Sequence, residues 1–381
     1  MRSLSEKVKS IQPSGIRKFF DLVLNAENII SLGVGEPDFS TPWHITEQAI
    51  YSLEKGQTSY TSNLGIMELR KEIAYYLHKR FQADYNPDNE VLITVGVSEG
   101  IDVALRTILN DGDEVIVPVP NFVCYQPLVT LAGGLPVPVD TSETGFILTK
   151  KQILEHLTPK TKAILICYPN NPTGAMISKE QLQDIIKIVK EKDLWLLSDE
   201  VYGELIYEGQ PLSASTYIKD NLILLNGFSK AYAMTGWRIG YMACPKDVLS
   251  QAVKIHQYNT MCAPIMAQYA AVEALRNGKK EMEKMRRSYE ERRNFFYNGL
   301  KEIGFDVLKP EGAFYIFPNI KRFGLKAEDF AMQLLQKAHV AVVPGNAFGE
   351  GIDYFIRCCY AASMEDLREA LKRIKKFVND L

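Results

Sequence analysis

The chain lacks the residue patterns that bind metals or form disulfide networks. Its five histidines are scattered along 381 residues and form no pair at ligand spacing, so no metal site is expected. Its six cysteines form no CxxC pair and no regular ladder. We therefore expect reduced, mostly buried thiols, as in a cytoplasmic protein.

Long apolar runs and basic blocks are also missing. No stretch approaches the roughly 18 apolar residues that a membrane span requires. Residues 1–11 are polar and charged, without the apolar core of a secretory signal. The net charge is −2, and no basic block could neutralise a nucleic acid backbone. We expect no membrane and no nucleic acid partner.

The composition that remains is typical of a globular protein. Hydrophobic residues make up 46% and charged residues 24% of the chain, which are ordinary proportions for a soluble domain. A chain of 381 residues exceeds the size at which one hydrophobic core usually stops growing. Two domains are therefore expected.

Apolar runs alternate with helical patterns between about residues 90 and 245. This alternation predicts an α/β fold with a mostly parallel sheet and crossover helices. Apolar residues recur at helical spacing over 67–81. A long helical region follows over 248–303, and residues 305–381 alternate short strands and helices as a smaller α/β domain would. The predicted strands of the main sheet cover 91–95, 115–117, 163–167, 194–198, 222–225 and 239–243.

Polar side chains follow three of these predicted strands. Asn171, Asp199 and Lys230 each lie just beyond a strand's carboxyl end, which is the edge where open α/β sheets bind ligands. A buried Asp needs a partner, such as a cationic nitrogen or a neighbouring Arg. A lysine at this edge can form a Schiff base with a carbonyl compound.

Two segments suit a phosphate group. Val97 and Ser98 lie between a predicted strand and a helix, where free N–H groups and the helix dipole favour an anion. Ser229 precedes Lys230, and Arg238 follows it by eight residues; a hydroxyl and a guanidinium both bind phosphate. A phosphorylated aldehyde, pyridoxal phosphate, would satisfy the whole set, although most strand-to-helix turns hold no phosphate.

Four further residues have two readings each. Phe122 either joins the core or offers a flat face to a ring. Tyr60 is either an exposed loop aromatic or a hydroxyl directed at an anion. Gly35 lies in a Gly- and Pro-rich segment that is either a simple turn or a close backbone approach. Arg357 stands in an apolar stretch, so its partner is a protein carboxylate or that of a substrate.

Taken together, these segments resemble the class I and II aminotransferases, the fold type I enzymes that use pyridoxal phosphate. The resemblance is carried in order by PSGIRKF, SLGVGEPDF, PNNPTG, SDEVY, FSKAYAMTGWRIG and YFIRCCYA. It implies a large cofactor-binding domain over 45–280, with a mostly parallel sheet flanked by helices, and a smaller α/β domain over 281–381. Residues 1–44 would join the small domain.

The resemblance also implies a role for each candidate residue. Lys230 would form the Schiff base and carry the proton, Asp199 would pair with the pyridine nitrogen, and Asn171 and Tyr202 would bind the phenolic oxygen. Phe122 would stack on the ring. The phosphate would be bound by Val97, Ser98, Ser229, Arg238 and, in a homodimer, Tyr60 of the partner subunit.

The substrate side of the site follows the same resemblance. Arg357 would clamp the substrate α-carboxylate, helped by Asn171 and the Gly35 backbone, and Ile16 and Phe20 would line an apolar pocket. Arg17 would either bind a distal carboxylate or remain an exposed charge. Gly227 departs from the family pattern, because some members carry a serine there that contacts the cofactor.

The implied reaction is a ping-pong transfer of the amino group of an L-amino acid to a 2-oxo acid such as 2-oxoglutarate. Aspartate, aromatic or related amino acids are the expected donors. Two alternatives remain open at this point. One is an N-acetyl-LL-diaminopimelate aminotransferase, and the other is a C–S β-lyase acting on cystathionine-like substrates, whose relatives commonly have His where Tyr202 stands.

Overall fold

The structure is a computed structural model that describes residues 2–13, 15 and 28–381. Within these ranges the largest feature is a seven-stranded sheet in the order β2-β8-β7-β6-β5-β3-β4. Its strands are β2 (Val91–Thr94), β3 (Glu114–Val119), β4 (Leu135–Asp140), β5 (Thr161–Cys167), β6 (Trp195–Asp199), β7 (Leu222–Gly227) and β8 (Gly240–Ala243).

The sheet is mostly parallel, as the alternation of strands and helices predicts. Strands β3 to β7 pair in parallel, and only β8 runs antiparallel to both of its neighbours. The central strands are buried along their length, because helices cover both faces of such a sheet. The carboxyl ends of β2, β5, β6 and β7 consequently lie at one edge.

The helices begin and end at local signals. Thr149 and Ser178 each form a capping box with a Gln three residues later, which satisfies two free N–H groups at the helix start. The helix predicted over 67–81 is present with those bounds. The helices are Glu6–Lys9, Trp43–Glu54, Met67–Phe81, Gly96–Ile108, Tyr125–Leu131, Lys150–His156, Lys179–Glu191, Lys246–Asn259, Ile265–Asn277, Lys279–Ile303, Ala327–Ala338 and Met364–Asn379.

Small sheets contain strands from the C-terminal part of the chain. β9 (Tyr315–Ile316), β11 (Val343–Pro344) and β12 (Ile356–Cys359) form a three-stranded sheet in the order β11-β12-β9. β1 (Ile30–Ser31) pairs in parallel with β10 (Val340–Ala341). The segment before residue 44 is therefore hydrogen-bonded to the C-terminal part of the chain.

Some elements differ from the sequence-based expectation. The region predicted as one long helical stretch divides into three helices, separated by a turn over 260–264 and by Gly278. Strand β4 was not predicted, because Pro136 and Pro138 oppose a strand in the sheet interior. It is an edge strand, where missing N–H donors are tolerated. The PSGIRKF segment falls mostly outside the described residues.

No helix in the described ranges is both long enough and apolar enough to cross a membrane. The proposed division at residues 44 and 280 stays a prediction.

Candidate active site

A cavity of about 480 Å³ opens at the carboxyl edge of the main sheet. It lies where β2, β5, β6 and β7 end, which is the expected location for a ligand in an open α/β sheet. Nearly every candidate residue from the sequence lines this one cavity: Gly35, Val97, Ser98, Phe122, Asn171, Asp199, Tyr202, Ser229, Lys230, Arg238 and Arg357.

One described candidate does not line it: Tyr60 is 81% exposed and does not reach the cavity of its own chain. Ile16 lies outside the described residues, as do Arg17 and Phe20.

Lys230 follows β7 by three residues, and its side chain lines the cavity. Burial lowers the pKa of its ammonium group to about 8, because a low-dielectric environment disfavours the charged form. Its Nζ donates a hydrogen bond of 2.7 Å to the carbonyl oxygen of Gly35. A lysine with this pKa is neutral far more often near neutral pH than an ordinary lysine, and the neutral amine is the form that attacks a carbonyl carbon.

Asp199 is the last residue of β6 and is only 3% exposed. Its Oδ2 accepts a hydrogen bond of 2.7 Å from the Tyr125 hydroxyl, and its Oδ1 accepts one from the Val201 N–H. Burial nevertheless raises the pKa of Asp199 to about 6. The two hydrogen-bond donors to Asp199 are uncharged, so they do not balance the charge of an ionised carboxylate. A cationic ring nitrogen would stabilise it.

A compact turn after β2 faces the Arg238 side chain. Gly96 has φ +75°, and a Cβ on it would lie 2.7 Å from Arg238 Nη2. Gly240 of β8 packs equally closely, since its Cβ would lie 2.9 Å from the Val97 nitrogen. Glycine at both positions lets the Val97 and Ser98 backbone, Ser229 and Arg238 line the same part of the cavity.

Packing leaves little room for a side chain at Gly227. A Cβ at this position would lie 2.9 Å from Val97 Cγ2. A serine would therefore require Val97, which belongs to the turn after β2, to move.

Arg357 on β12 is 2% exposed. Its Nη1 donates to Asn171 Oδ1 at 3.0 Å and its Nη2 to the Gly33 carbonyl at 2.5 Å. The guanidinium also lies over the Tyr315 ring, an arrangement that stabilises a cation. Among residues 2–13, 15 and 28–381, no carboxylate forms an ion pair with it.

Sequence reasoning missed two cavity tyrosines. Tyr125 begins the short helix after Phe122 and binds Asp199. Tyr315 on β9 forms a hydroxyl–hydroxyl hydrogen bond of 2.8 Å with Tyr202 and donates to the Gly35 carbonyl at 3.3 Å. No local pattern distinguishes either residue from a core tyrosine, because its partner is more than 70 residues away in the chain.

These groups fit pyridoxal phosphate. The cavity combines a lysine with a lowered pKa for the aldehyde, a buried acid for the ring nitrogen, and a turn with serine and arginine for the phosphate. It thus has the chemistry of a fold type I enzyme that binds this cofactor.

Comparison with known proteins agrees with that class. The family model described as aminotransferase class I and II matches residues 27–374. A Bacillus subtilis relative named "Probable N-acetyl-LL-diaminopimelate aminotransferase" is 45% identical, over 98% of this chain and 95% of its own length. "Aromatic-amino-acid aminotransferase 2" of Thermococcus litoralis is 44% identical, over 99% of both chains.

A solved structure shows the same fold. Aspartate aminotransferase from Thermus thermophilus with maleate superposes with a TM-score of 0.95 at 36% identity, over 99% of this chain and 100% of that one. The chain belongs to the class I and II aminotransferases. It is an enzyme that uses pyridoxal phosphate as its cofactor.

Proposed function

We propose that this enzyme transfers the amino group of an L-amino acid to a 2-oxo acid such as 2-oxoglutarate, by a ping-pong mechanism. The observation that carries the proposal is Arg357. It is a buried guanidinium held by Asn171 and Gly33, in the same cavity as Lys230 and without a carboxylate partner in the described ranges. A substrate α-carboxylate supplies the bidentate acceptor that such an arginine favours.

The cofactor is assigned to the rest of the cavity. Lys230 would bond to the aldehyde carbon, Asp199 would face the ring nitrogen, and Tyr202 and Asn171 would donate to the phenolic oxygen. Phe122 would cover one ring face. The phosphate would be held by the Val97 and Ser98 backbone, Ser229, Arg238 and Tyr60 of the partner subunit.

When bound, pyridoxal phosphate supplies an aldehyde that accepts the amino group and a ring that delocalises the negative charge developing at Cα. The chain's residues orient and move the proton. Arg357 fixes the α-carboxylate and so determines which bond of Cα faces the ring system. Lys230, freed when the substrate amine takes its place at the aldehyde carbon, would remove the Cα proton as general base and later return it as general acid, and its lowered pKa suits both roles. Asp199 keeps a positive charge on the ring nitrogen.

A homodimer is part of the proposal. Large aromatic side chains, including Trp43, Tyr51, Tyr60 and Tyr258, are exposed, and aromatic residues are enriched at interfaces between protein chains. Asn63 donates to the Met261 carbonyl, which joins the Tyr60 loop to the turn after Tyr258. A second copy covering this surface would bring Tyr60 of the partner subunit to the phosphate.

The division into domains rests on the sheets. The seven-stranded sheet lies within 91–243 and the three-stranded sheet within 315–359, and β1 pairs with β10. We assign residues 45–280 to a large domain, 281–381 to a small domain, and 1–44 to a segment that joins the small one.

The names of the relatives support aromatic amino acids and aspartate as donors. N-acetyl-LL-diaminopimelate is a second candidate, supported by the name of the relative that is 45% identical. These three donors differ in side-chain charge and size, so a direct comparison separates them.

The test is a half-reaction. Protein loaded with pyridoxal phosphate is mixed with one amino acid at a time and no 2-oxo acid, and the products are identified by mass spectrometry. We expect release of about one equivalent of the matching 2-oxo acid, with further turnover only after 2-oxoglutarate is added. Continuous release of pyruvate, ammonia and a thiol from cystathionine would instead establish the lyase reaction.

A further inference from the structure

Glu99 is a partly buried carboxylate behind the turn assigned to the phosphate, and the proposed reaction gives it no role. Its side chain is 16% exposed and accepts three hydrogen bonds. Oε2 accepts from the Val95 N–H, and Oε1 accepts from His256 Nδ1 at 2.7 Å and from the Thr260 hydroxyl at 2.7 Å. Glu99 thus connects the start of its own helix to the end of helix Lys246–Asn259.

The bond to Val95 restrains the turn. Val95 is the residue between β2 and helix Gly96–Ile108, with φ −77° and ψ 70°. The first N–H groups of a helix have no partner within it and are available to an anion. By reaching back from the first turn of the helix, Glu99 binds the Val95 N–H just before Gly96. The Val97 and Ser98 N–H groups are then held in one orientation.

The surroundings of Glu99 stabilise the ionised form of its carboxylate. Burial alone would raise its pKa, but the interactions with His256, Val95 and Thr260 outweigh burial and leave the pKa below its usual value. His256 is 0% exposed, and its Nε2 has no partner within residues 2–13, 15 and 28–381. The hydrogen bond from Nδ1 to Glu99 is therefore the single polar contact of the His256 ring within those residues.

A helix cap alone would not need this arrangement. A serine or aspartate at the cap position satisfies an N–H group without burying a histidine, and burying ionisable groups carries a desolvation penalty. Here the Glu99 carboxylate lies behind the turn and accepts hydrogen bonds from three donors. The cavity-facing N–H groups remain free for a ligand.

We propose that Glu99 is a positioning residue for the phosphate of the cofactor, holding the Val95–Ser98 turn in its binding conformation before the cofactor arrives. This inference rests on the proposed placement of the phosphate at Val97, Ser98, Ser229 and Arg238. A preformed site does not have to order its backbone on binding, and this increases affinity. Only ligands that carry the phosphate gain affinity from this preformed turn.

The test compares two ligands that differ only in that group. Apoprotein is titrated with pyridoxal phosphate and, separately, with pyridoxal, and binding is followed by quenching of protein fluorescence. We expect Glu99→Ala to raise the Kd for pyridoxal phosphate about tenfold, equivalent to about 1.4 kcal/mol, while the Kd for pyridoxal changes less than about twofold. A general loss of folded structure would weaken both ligands together.

Three variants sharpen the result. Glu99→Gln keeps an acceptor for the Val95 N–H, and its amide can donate to His256 Nδ1 once the imidazole proton moves to Nε2, which has no partner in the described ranges, so it should restore binding of pyridoxal phosphate. Glu99→Asp is too short to reach all three donors and should weaken only the phosphorylated ligand, which decides the question if the alanine variant does not fold. Glu90→Ala is the matched control, because Glu90 also accepts a backbone N–H, that of Asn86, away from the cavity.

Arg238→Gln tests the placement of the phosphate separately from the role of Glu99. If it raises the Kd for pyridoxal phosphate but not for pyridoxal, the phosphate placement stands. Should Glu99→Ala and Glu99→Asp then leave the ratio of the two Kd values unchanged, or raise both Kd values equally, the role of Glu99 is overturned. If Arg238→Gln leaves the ratio unchanged, the placement of the phosphate itself is wrong.

Discussion

The hydroxyl of Tyr125 donates a hydrogen bond of 2.7 Å to Oδ2 of Asp199. Asp199 is buried, and burial raises its pKa to about 6 even though the Tyr125 bond acts in the opposite direction by stabilising the carboxylate. Tyr125 thus favours the ionised form of Asp199, which is the state that can pair with a cationic ring nitrogen.

Tyr125→Phe should make cofactor binding more dependent on pH. Without the hydroxyl, the pKa of Asp199 rises further above about 6, so a larger fraction is protonated near neutral pH. We expect the Kd of apoprotein for pyridoxal phosphate to increase on the order of tenfold at pH 6.5, the size of a hydrogen bond to a charged group. The difference should shrink toward pH 8.5, where the carboxylate is ionised in both proteins.

The matched control for that experiment is Tyr168→Phe, because Tyr168 is another buried tyrosine with hydrogen-bond partners outside the cavity. It should leave the pH dependence of binding unchanged. An equal loss of affinity for Tyr125→Phe at every pH would contradict the role assigned to its hydroxyl.

Lys230→Ala should remove both covalent attachment of the cofactor and turnover. After reduction with borohydride, the unmodified protein should gain the mass of the cofactor at Lys230, as shown by peptide mass spectrometry, and the variant should not. The rate should fall by at least about 10²–10⁴-fold, since the general base is lost as well. Lys219→Ala, which removes a lysine paired with Glu90, is the control. A variant that keeps measurable covalent cofactor and full activity would refute the assignment.

Arg357→Ala should raise KM for every amino acid donor. The α-carboxylate is common to all of them, and losing a charge-assisted pair of hydrogen bonds costs about 1.5–3 kcal/mol, or roughly 10–150-fold in KM. Initial rates with phenylalanine, tyrosine, aspartate and alanine test this directly. Arg106→Ala is a suitable control, because Arg106 pairs with Asp102 on the protein surface. If only aspartate were affected, Arg357 would bind the distal carboxylate instead.

Much of the fold follows from short-range patterns. The buried strands β5, β6 and β7 are continuous apolar runs, and the polar residues at their ends identify the sheet edge where a ligand binds. The site residues that could be predicted are those close in sequence to a strand end, such as Asn171, Asp199 and Lys230. In the structure these three side chains line the same cavity.

The remainder depends on contacts between distant parts of the chain. Tyr315 meets Tyr202 across 113 residues, and His256 meets Glu99 across 157; neither pair leaves a local pattern. Strand β4 was missed because its prolines are tolerated only at an edge, and the position of a strand within the sheet is a tertiary property. The close packing at Gly227 likewise arises from Val97 in another element.

Glu200 provides a test of stability against pH. It is 4% exposed, and its Oε1 accepts hydrogen bonds from the Ser198 hydroxyl at 2.9 Å and the Ala214 N–H at 3.0 Å. Burial raises its pKa from 4.5 to about 7. Between these two pH values the folded protein binds a proton that the unfolded chain does not. The stability that this proton contributes is present at low pH and is lost as the pH rises through about 7.

Glu200→Gln should remove this loss, because an amide oxygen accepts the same two hydrogen bonds and does not ionise. The free energy of unfolding of the apoprotein is measured by urea denaturation at pH 5 and pH 8. From pH 5 to pH 8, the unmodified protein should lose on the order of 3 kcal/mol more than the variant, since each pKa unit corresponds to about 1.4 kcal/mol. Glu114→Gln, at a half-buried carboxylate that accepts from the Thr158 hydroxyl, should behave like the unmodified protein. Equal losses in all three proteins would show that Glu200 does not gain its proton on folding.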